Sequence, residues 1–249
     1  MTQLALAVRE SARFWARVAL RRKMLARYRL RGSDIAVHVR HGTVDVDTFD
    51  EIFRRGHYDL PPPAAVALRR AGGPVSVLDL GGNIGLFGAH IRRMFPDVRI
   101  TSVEPHPGNV EVLRRTISAN EGGAVWELVE ACADVRDRTV PFAVADFATS
   151  RVESTAAAVM MPAVDAFPLL DGADLVKIDI EGGEWPILAD ARFGRVRPTV
   201  VALEYHAHGC PADDPAALAR ELLERAGYRT EDAHFDLPPG QGMLWAWRV

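Results

Sequence analysis

Short apolar runs recur along the chain, each ending in glycine or charge, and stretches of helical spacing separate most of them. Val75–Leu80 is one such run. It breaks at Gly81-Gly82-Asn83-Ile84-Gly85, and apolar residues then return at helical spacing through Phe95. The pattern predicts a buried strand, a tight turn and a helix. Further strands are predicted over Val98–Val103, Val125–Val129, Asp174–Ile180 and Thr199–Leu203, and helices over Ala64–Ala71, Asn109–Asn120, Glu184–Ala189 and Pro215–Ala226. Strands alternating with helices imply an α/β fold around a parallel sheet. Tyr228–Thr230 and Met243–Arg248 follow each other with no helix between, which predicts an antiparallel hairpin at one sheet edge. Thr139–Val144 reads as a small extra strand, and 146–161, with Ser150, Ser154 and Thr155, as an irregular substrate-side loop.

The first 60 residues break this rhythm. Residues 1–31 read as helical, with Leu4, Ala7, Val8, Ala12, Trp15, Val18, Ala19, Leu25 and Tyr28 forming an apolar stripe among many arginines. Such a basic amphipathic helix can lie on a membrane or an acidic partner, but it more commonly packs on its own domain with a solvated basic face. Membrane contact is therefore not expected. Ile35–Arg40 alternates like a short strand, Thr48–Phe53 starts a short helix, and Pro61-Pro62-Pro63 makes a stiff connection. The chain divides into a helical cap and lead-in over 1–60 and a ligand-binding domain over 61–249.

Charge within the apolar runs carries the functional signal. Free N–H groups at a glycine turn before a helix attract polar or anionic groups. Glu104, at the tip of the next strand and roughly 20 residues on, is placed to accept hydrogen bonds from ribose hydroxyls. Together these point to a nucleoside-type ligand. Lys177, Asp179 and Glu181 alternate with Val176, Ile178 and Ile180 in a strand that should be central, where charges are costly unless they pair and face a cleft. The rival view is an edge strand with one wet face. Glu204 and His206 follow the next strand, and a histidine beside a carboxylate is a candidate general base.

Composition mostly excludes. The chain has 249 residues and a net charge of −3, which gives no global electrostatic case for nucleic acid. Cys132 and Cys210 lack metal-type spacing and read as free thiols in a reducing compartment. No apolar run approaches the roughly 18 residues of a membrane span, and no secretion signal is read, so the expected location is the cytoplasm. Oligomerisation is left open.

The segments Val77-Leu78-Asp79-Leu80-Gly81-Gly82-Asn83-Ile84-Gly85, Ser102-Val103-Glu104-Pro105 and Leu175 through Glu184 resemble the FkbM-type family of class I S-adenosylmethionine-dependent methyltransferases. The lead-in Arg40–Asp45 and Glu51–Tyr58 is similar too. The likeness spans roughly residues 35–210. It implies a Rossmann-like fold, with a seven-stranded, mostly parallel sheet whose last strand is antiparallel. It implies that Asp79, Gly81, Asn83 and Gly85 line the methionine and sugar side of the donor, that Glu104 binds its ribose, and that Cys132, Ala133 and Asp134 sit near adenine. Tyr58, Gly82, Leu86, Pro105, Asn109 and Asp179 complete the implied cofactor set. Gly82 stands where the family often has alanine, a change expected to be mild; Val44 stands where serine is frequent.

Methyl transfer to oxygen from an activated sulfonium requires alignment, exclusion of water and removal of one proton. The expected reaction is O-methylation of a small hydroxylated molecule, such as a sugar or natural-product intermediate. Lys177, Asp179, Glu181, Glu204 and His206 would form the acceptor end, with His206 or Asp179 as base. The same acids and His206 can ligate Mg²⁺. A nicotinamide-dependent oxidoreductase ranks below this, because its Gly-x-Gly-x-x-Gly spacing is absent. A non-catalytic binding protein on the same fold would leave the buried charges unexplained. Methylation of nitrogen or carbon stays open.

Overall fold

The computed structural model describes residues 6–20, 23–120, 125–143, 151–152, 158–235 and 237–248. Leu4, Ser150, Ser154 and Thr155 lie outside them, as does most of 144–157.

The central sheet runs β12-β13-β11-β10-β3-β4-β5. Its strands are β3 (Ser76–Leu80), β4 (Arg99–Val103), β5 (Trp126–Val129), β10 (Leu175–Ile178), β11 (Val200–His206), β12 (Arg229–Ala233) and β13 (Gln241–Trp247). β5, β4, β3, β10 and β11 pair in parallel, and β13 is antiparallel to both β11 and β12. The expected seven strands and antiparallel last strand are both present, with β12 at the edge.

β10 is central: Leu175, Val176 and Ile178 are wholly buried and Lys177 nearly so, which rules out the edge-strand reading. From β3 the chain winds outward through β4 and β5, then returns to lay β10 and β11 on the other side. The strand order therefore reverses between β3 and β10, where open α/β sheets bind ligands beyond their carboxyl ends.

Helices α3 (Pro62–Ala71), α4 (Leu86–Met94), α5 (Pro107–Ser118), α6 (Phe167–Leu170), α7 (Glu184–Ala189), α8 (Phe193–Val196) and α9 (Pro215–Arg225) connect the strands. Proline at the first turn suits α5, and the His106 ring caps it by accepting from the N–H groups of Gly108 and Asn109 at 3.0 and 3.3 Å.

The N-terminal segment corrects the expectation of one long helix. Helix α1 covers only Ser11–Ala19, and Met24–Arg29 is strand β1, paired antiparallel with β2 (Ala36–His41). Ala26, Tyr28 and Leu30 are buried while Arg27, Arg29 and Arg31 are exposed. Arginines two residues apart share one face only in a strand. Helix α2 (Asp45–Asp50) follows and widens into a π turn over Glu51–Arg55. The lead-in packs into the core of the same domain: Tyr28, Val37 and Phe49 share one buried cluster with Val77 and Ile100. The amide of Asn120 also bonds Ala36 on both sides, at 2.9 and 2.7 Å.

A second sheet, absent from the sequence reading apart from its Thr139–Val144 strand, has the order β6-β9-β7-β8. It joins Cys132–Asp134, Val159–Asp165, Arg138–Ala143 and Arg151–Val152. Among the described residues no helix is long and apolar enough to cross a membrane.

Candidate active site

Two cavities meet at the point where the strand order reverses, and their junction begins with a backbone contact. Gly81, just past β3, has φ 85° and donates to the Val103 carbonyl at 3.0 Å. A Cβ there would overlap the carbonyl oxygen of Asp179, just past β10. Only glycine lets the two strand ends touch. Gly82 is also tight. A Cβ on it would lie 2.9 Å from Cβ of Ser102 and 3.2 Å from Leu113, so alanine here would force neighbours apart.

Beneath the junction lies a buried charge network. Register places Lys177 beside Asp79 on adjacent strands. The Lys177 ammonium donates to the Gly81 carbonyl at 2.9 Å and sits 3.4 Å from Asp79 and 3.2 Å from Asp179. Burial alone would lower its pKa, but Asp179 and Asp79 outweigh burial and raise it. Burial raises the pKa of Asp79, against the pull of Lys177. Ser102 donates to Asp79 at 3.2 Å, and the Trp126 indole donates to Ser102 at 3.0 Å. Nothing in the sequence around Ser102 and Trp126 marks them for this part. Asp79 itself is wholly buried.

The first cavity, about 610 Å³, opens over the ends of β3, β4 and β10. Gly81, Asn83, Glu104, Pro105, Asn109, Cys132, Ala133 and Asp179 line it, all of them expected. Phe142, Arg151 and Val152 of the second sheet close it and were not. Glu104 accepts from the N–H of Asn83 at 2.8 Å, from the N–H of His106 at 2.9 Å and from the Asn109 amide at 3.3 Å. A carboxylate offers about four acceptor sites, which leaves one for a ligand. The buried Oδ1 of Asn83 has no hydrogen-bond partner. Burial pushes the Cys132 thiol up to about 12, so it stays neutral.

Glu104 carries a pH signature. Burial, opposed by its hydrogen bonds to His106, Asn83 and Asn109, pushes its carboxyl from 4.5 up to about 7. The folded protein therefore holds this proton to higher pH than the unfolded chain. The stability it contributes is complete below about 4.5 and is lost as pH rises through about 7, a span worth roughly 3 kcal/mol. Burial shifts Glu181 and Glu204 in the same direction. Melting temperatures of the ligand-free protein should fall across this window, and Glu104→Gln should flatten part of the slope. Equal slopes in the two proteins would contradict the assignment.

The second cavity, about 1190 Å³, lies between the junction, the α2–π turn and the loop before β13. Gly81, Asn83, Asp179 and Glu181 line both cavities. Tyr58, Gly82 and Leu86, placed with the cofactor by resemblance, line only the second cavity. Asp79 and Gly85 line neither: Gly85 packs on Leu113 and Trp126. The Tyr58 hydroxyl donates to Glu204 at 3.1 Å. Glu204 has its pKa raised by burial and then by Asp179.

His206 is the last residue of β11, not a loop residue beyond it, and it lines neither cavity. Glu184 accepts from its backbone N–H at 2.8 Å and lies 3.2 Å from its Nδ1, while its Nε2 lies 3.7 Å from Glu181. Burial alone would lower its pKa, but Glu184, Asp179 and Glu181 raise it to about 9. Asp179, Glu181 and His206 bring one ligand atom each within 4.8 Å of one another, and Glu204 stands outside that group.

This fold and site define a class I S-adenosylmethionine-dependent methyltransferase: a mostly parallel seven-stranded sheet, a glycine turn at its reversal point, and an acidic strand end facing a cavity there. The Methyltransferase FkbM domain matches residues 79–230, and the chain belongs to that family. Comparison with curated proteins gives no match. Among solved structures, the chain is similar to a precorrin-6y C5,15-methyltransferase from Geobacter metallireducens GS-15, at 18% identity, covering 78% of this chain and 92% of that one, with TM-score 0.44. TYW2 of M. jannaschii, in complex with AdoMet, is 12% identical over 92% of this chain and 88% of its own, with TM-score 0.44. Fibrillarin of Aeropyrum pernix, with natively bound S-adenosyl-L-methionine, is 17% identical over 74% and 73%, with TM-score 0.43.

Proposed function

We propose that the protein transfers the methyl group of S-adenosylmethionine to a hydroxyl of a small molecule. The observation that carries this is the pair Asp179 and Glu181, which line both cavities and so stand between a donor in one and an acceptor in the other. Donor chemistry suits the first cavity. The free acceptor site on Glu104 matches a ribose hydroxyl, Cys132, Ala133 and Phe142 offer an apolar wall for adenine, and the orphaned Oδ1 of Asn83 can accept from the ammonium of the methionine end.

When bound, the donor supplies an electrophilic methyl carbon. The acceptor oxygen bonds to that carbon as the S–CH₃ bond breaks, its electron pair staying on sulfur to give S-adenosylhomocysteine. The hydroxyl proton must leave to a base. Asp179 is held by Lys177, and His206 is held by Glu184 outside both cavities. Glu181 therefore takes the proton, with His206 positioning it. This replaces the expected His206 or Asp179 base. Two free cysteines suit a reducing, cytoplasmic setting.

The test is methyl transfer from isotopically labelled donor to a panel of polyols, with the methylated atom located by NMR. A methyl ether is the expected product; an N-methyl or C-methyl product would overturn the hydroxyl assignment.

A divalent cation at Asp179, Glu181 and His206 is a second reading. Glu184 on Nδ1 would leave Nε2 free to ligate, the usual way a second carboxylate orients a ligating histidine. The ion would lower the pKa of an acceptor hydroxyl. If it binds, adding Mg²⁺ or Mn²⁺ to chelator-stripped protein should raise its melting temperature. An unchanged melting temperature with both ions removes this reading.

A further inference from the structure

One side chain of the lead-in reaches the Glu104 carboxylate through a single intermediary. Arg40 is the next-to-last residue of β2. Gly42, at φ 75°, turns the chain there, and Asp45, the first residue of α2, comes back over the arginine. Asp45 accepts from the Arg40 backbone N–H at 2.9 Å and from Nε and Nη2 at 2.8 Å each. The pair is buried, with side chains 12% and 1% exposed. The guanidinium also reaches the first turn of α5. Nη2 donates to Oδ1 of Asn109 at 2.6 Å, and Nη1 donates to the Gly108 carbonyl at 3.1 Å.

Asn109 is buried, and an amide side chain can sit either way round. With Arg40 on its oxygen, its NH₂ group faces Glu104 and donates to Oε1 at 3.3 Å. The His106 N–H donates to the same oxygen at 2.9 Å, so Oε1 is filled. The Asn83 N–H takes Oε2 at 2.8 Å. The acceptor site left on Glu104 is therefore on Oε2. If Asn109 turned or withdrew, Oε1 would regain a lone pair and the carboxylate would lose one of the bonds that fix its rotation. Arg40 itself lines neither cavity. A staple between β2 and α2 would need only its bonds to Asp45. The contact with Asn109, 69 residues away, serves a different end.

We propose that Arg40, clamped by Asp45, is a positioning residue for the methyl donor: it holds Asn109 in the orientation that leaves Oε2 of Glu104 to accept from the ribose. This role rests on the donor lying in the first cavity with its ribose at Glu104. It makes the lead-in part of the donor site, although among the described residues none of 1–60 lines that cavity. Lysine would be a poor substitute at this position, because a point charge lacks the planar fork that spans Asp45 and Asn109 together.

The test titrates the full chain with S-adenosylhomocysteine and with its 2′-deoxy and 3′-deoxy forms, each lacking one ribose hydroxyl. Wild type is compared with Asn109→Leu and with Arg40→Met/Asp45→Asn. The double substitution removes both charges, so neither is left buried without its partner. Wild type should prefer S-adenosylhomocysteine to at least one deoxy form by ~10-fold or more, the scale of a hydrogen bond to a charged group. Both variants should lose most of that preference, and combining them should lose no more than Asn109→Leu alone, since Arg40 acts through Asn109. A purely structural Arg40 would instead weaken all three ligands equally, and that result would overturn the proposal. So would full preference in the Arg40→Met/Asp45→Asn protein, or losses that add when the variants are combined. Should that protein not unfold cooperatively, Arg40→Lys, which keeps a charge beside Asp45, takes its place with the same expected and contrary results. A wild type that binds all three ligands equally would remove the ribose contact of Glu104 and this role of Arg40 with it. A wild type that binds none of them would remove the donor reading itself.

Discussion

Lys177→Met should be the most damaging single substitution at the site. The lysine side chain is 4% exposed and Asp79 is wholly buried beside it. Removing one partner of a buried pair leaves the other charge uncompensated, at a cost of about 3–5 kcal/mol. In a chain of this size that corresponds to a fall in melting temperature on the order of 10 °C. Donor binding should fail as well, because Lys177 also holds the Gly81 carbonyl and Asp179 at the junction of the cavities. The double variant Asp79→Asn/Lys177→Met is the informative control. Removing both charges should recover part of the lost stability, whereas a double variant less stable than Lys177→Met would mean that the Ser102 hydrogen bond, and not the lysine charge, is what chiefly offsets the burial of Asp79.

Gly81→Ala should act through the backbone. The added methyl would overlap the Asp179 carbonyl, and φ 85° is unfavourable for any residue with a Cβ. A methyl can be absorbed when a flexible side chain yields, but here the obstacle is the end of the central strand. The β3 and β10 ends must separate. The expected cost is about 3 kcal/mol, or ~100-fold in S-adenosylhomocysteine affinity, with the protein still folded. An alanine variant that binds normally would show that the strand ends are not in contact in solution.

Much of this site is legible in the chain because burial makes particular residues expensive. Charges in the run around Lys177 have no inexpensive explanation in a central strand, so the residue pattern alone marks the site. The glycine turn and Glu104 are legible for a related reason: a sharp break in an apolar run, followed by an acidic strand tip, has few uses. The hairpin β1–β2 is not legible, because the apolar residues from Leu4 to Tyr28 also project as a helical stripe, and only pairing with Ala36–His41 decides for period two. The second sheet is largely hidden because its strands are short, Cys132–Asp134 spanning three residues, and because Pro141 and Pro162 interrupt two others. Ser102 and Trp126 act through partners more than twenty residues distant. His206 is less legible: its sequence neighbours suggest a base beside a cleft, while in the fold Glu184, 22 residues away, accepts from its backbone N–H and lies 3.2 Å from its Nδ1.

The central claim is that the cavity at the strand-order reversal binds the methyl donor through Glu104. Calorimetric titration with S-adenosylhomocysteine of the wild type and of Glu104→Ala tests it most directly. Micromolar binding, about −8 kcal/mol, weakened ~10-fold or more in a Glu104→Ala protein that still unfolds cooperatively, is the expected result. No binding to the wild type, or equal binding to both proteins, would contradict it.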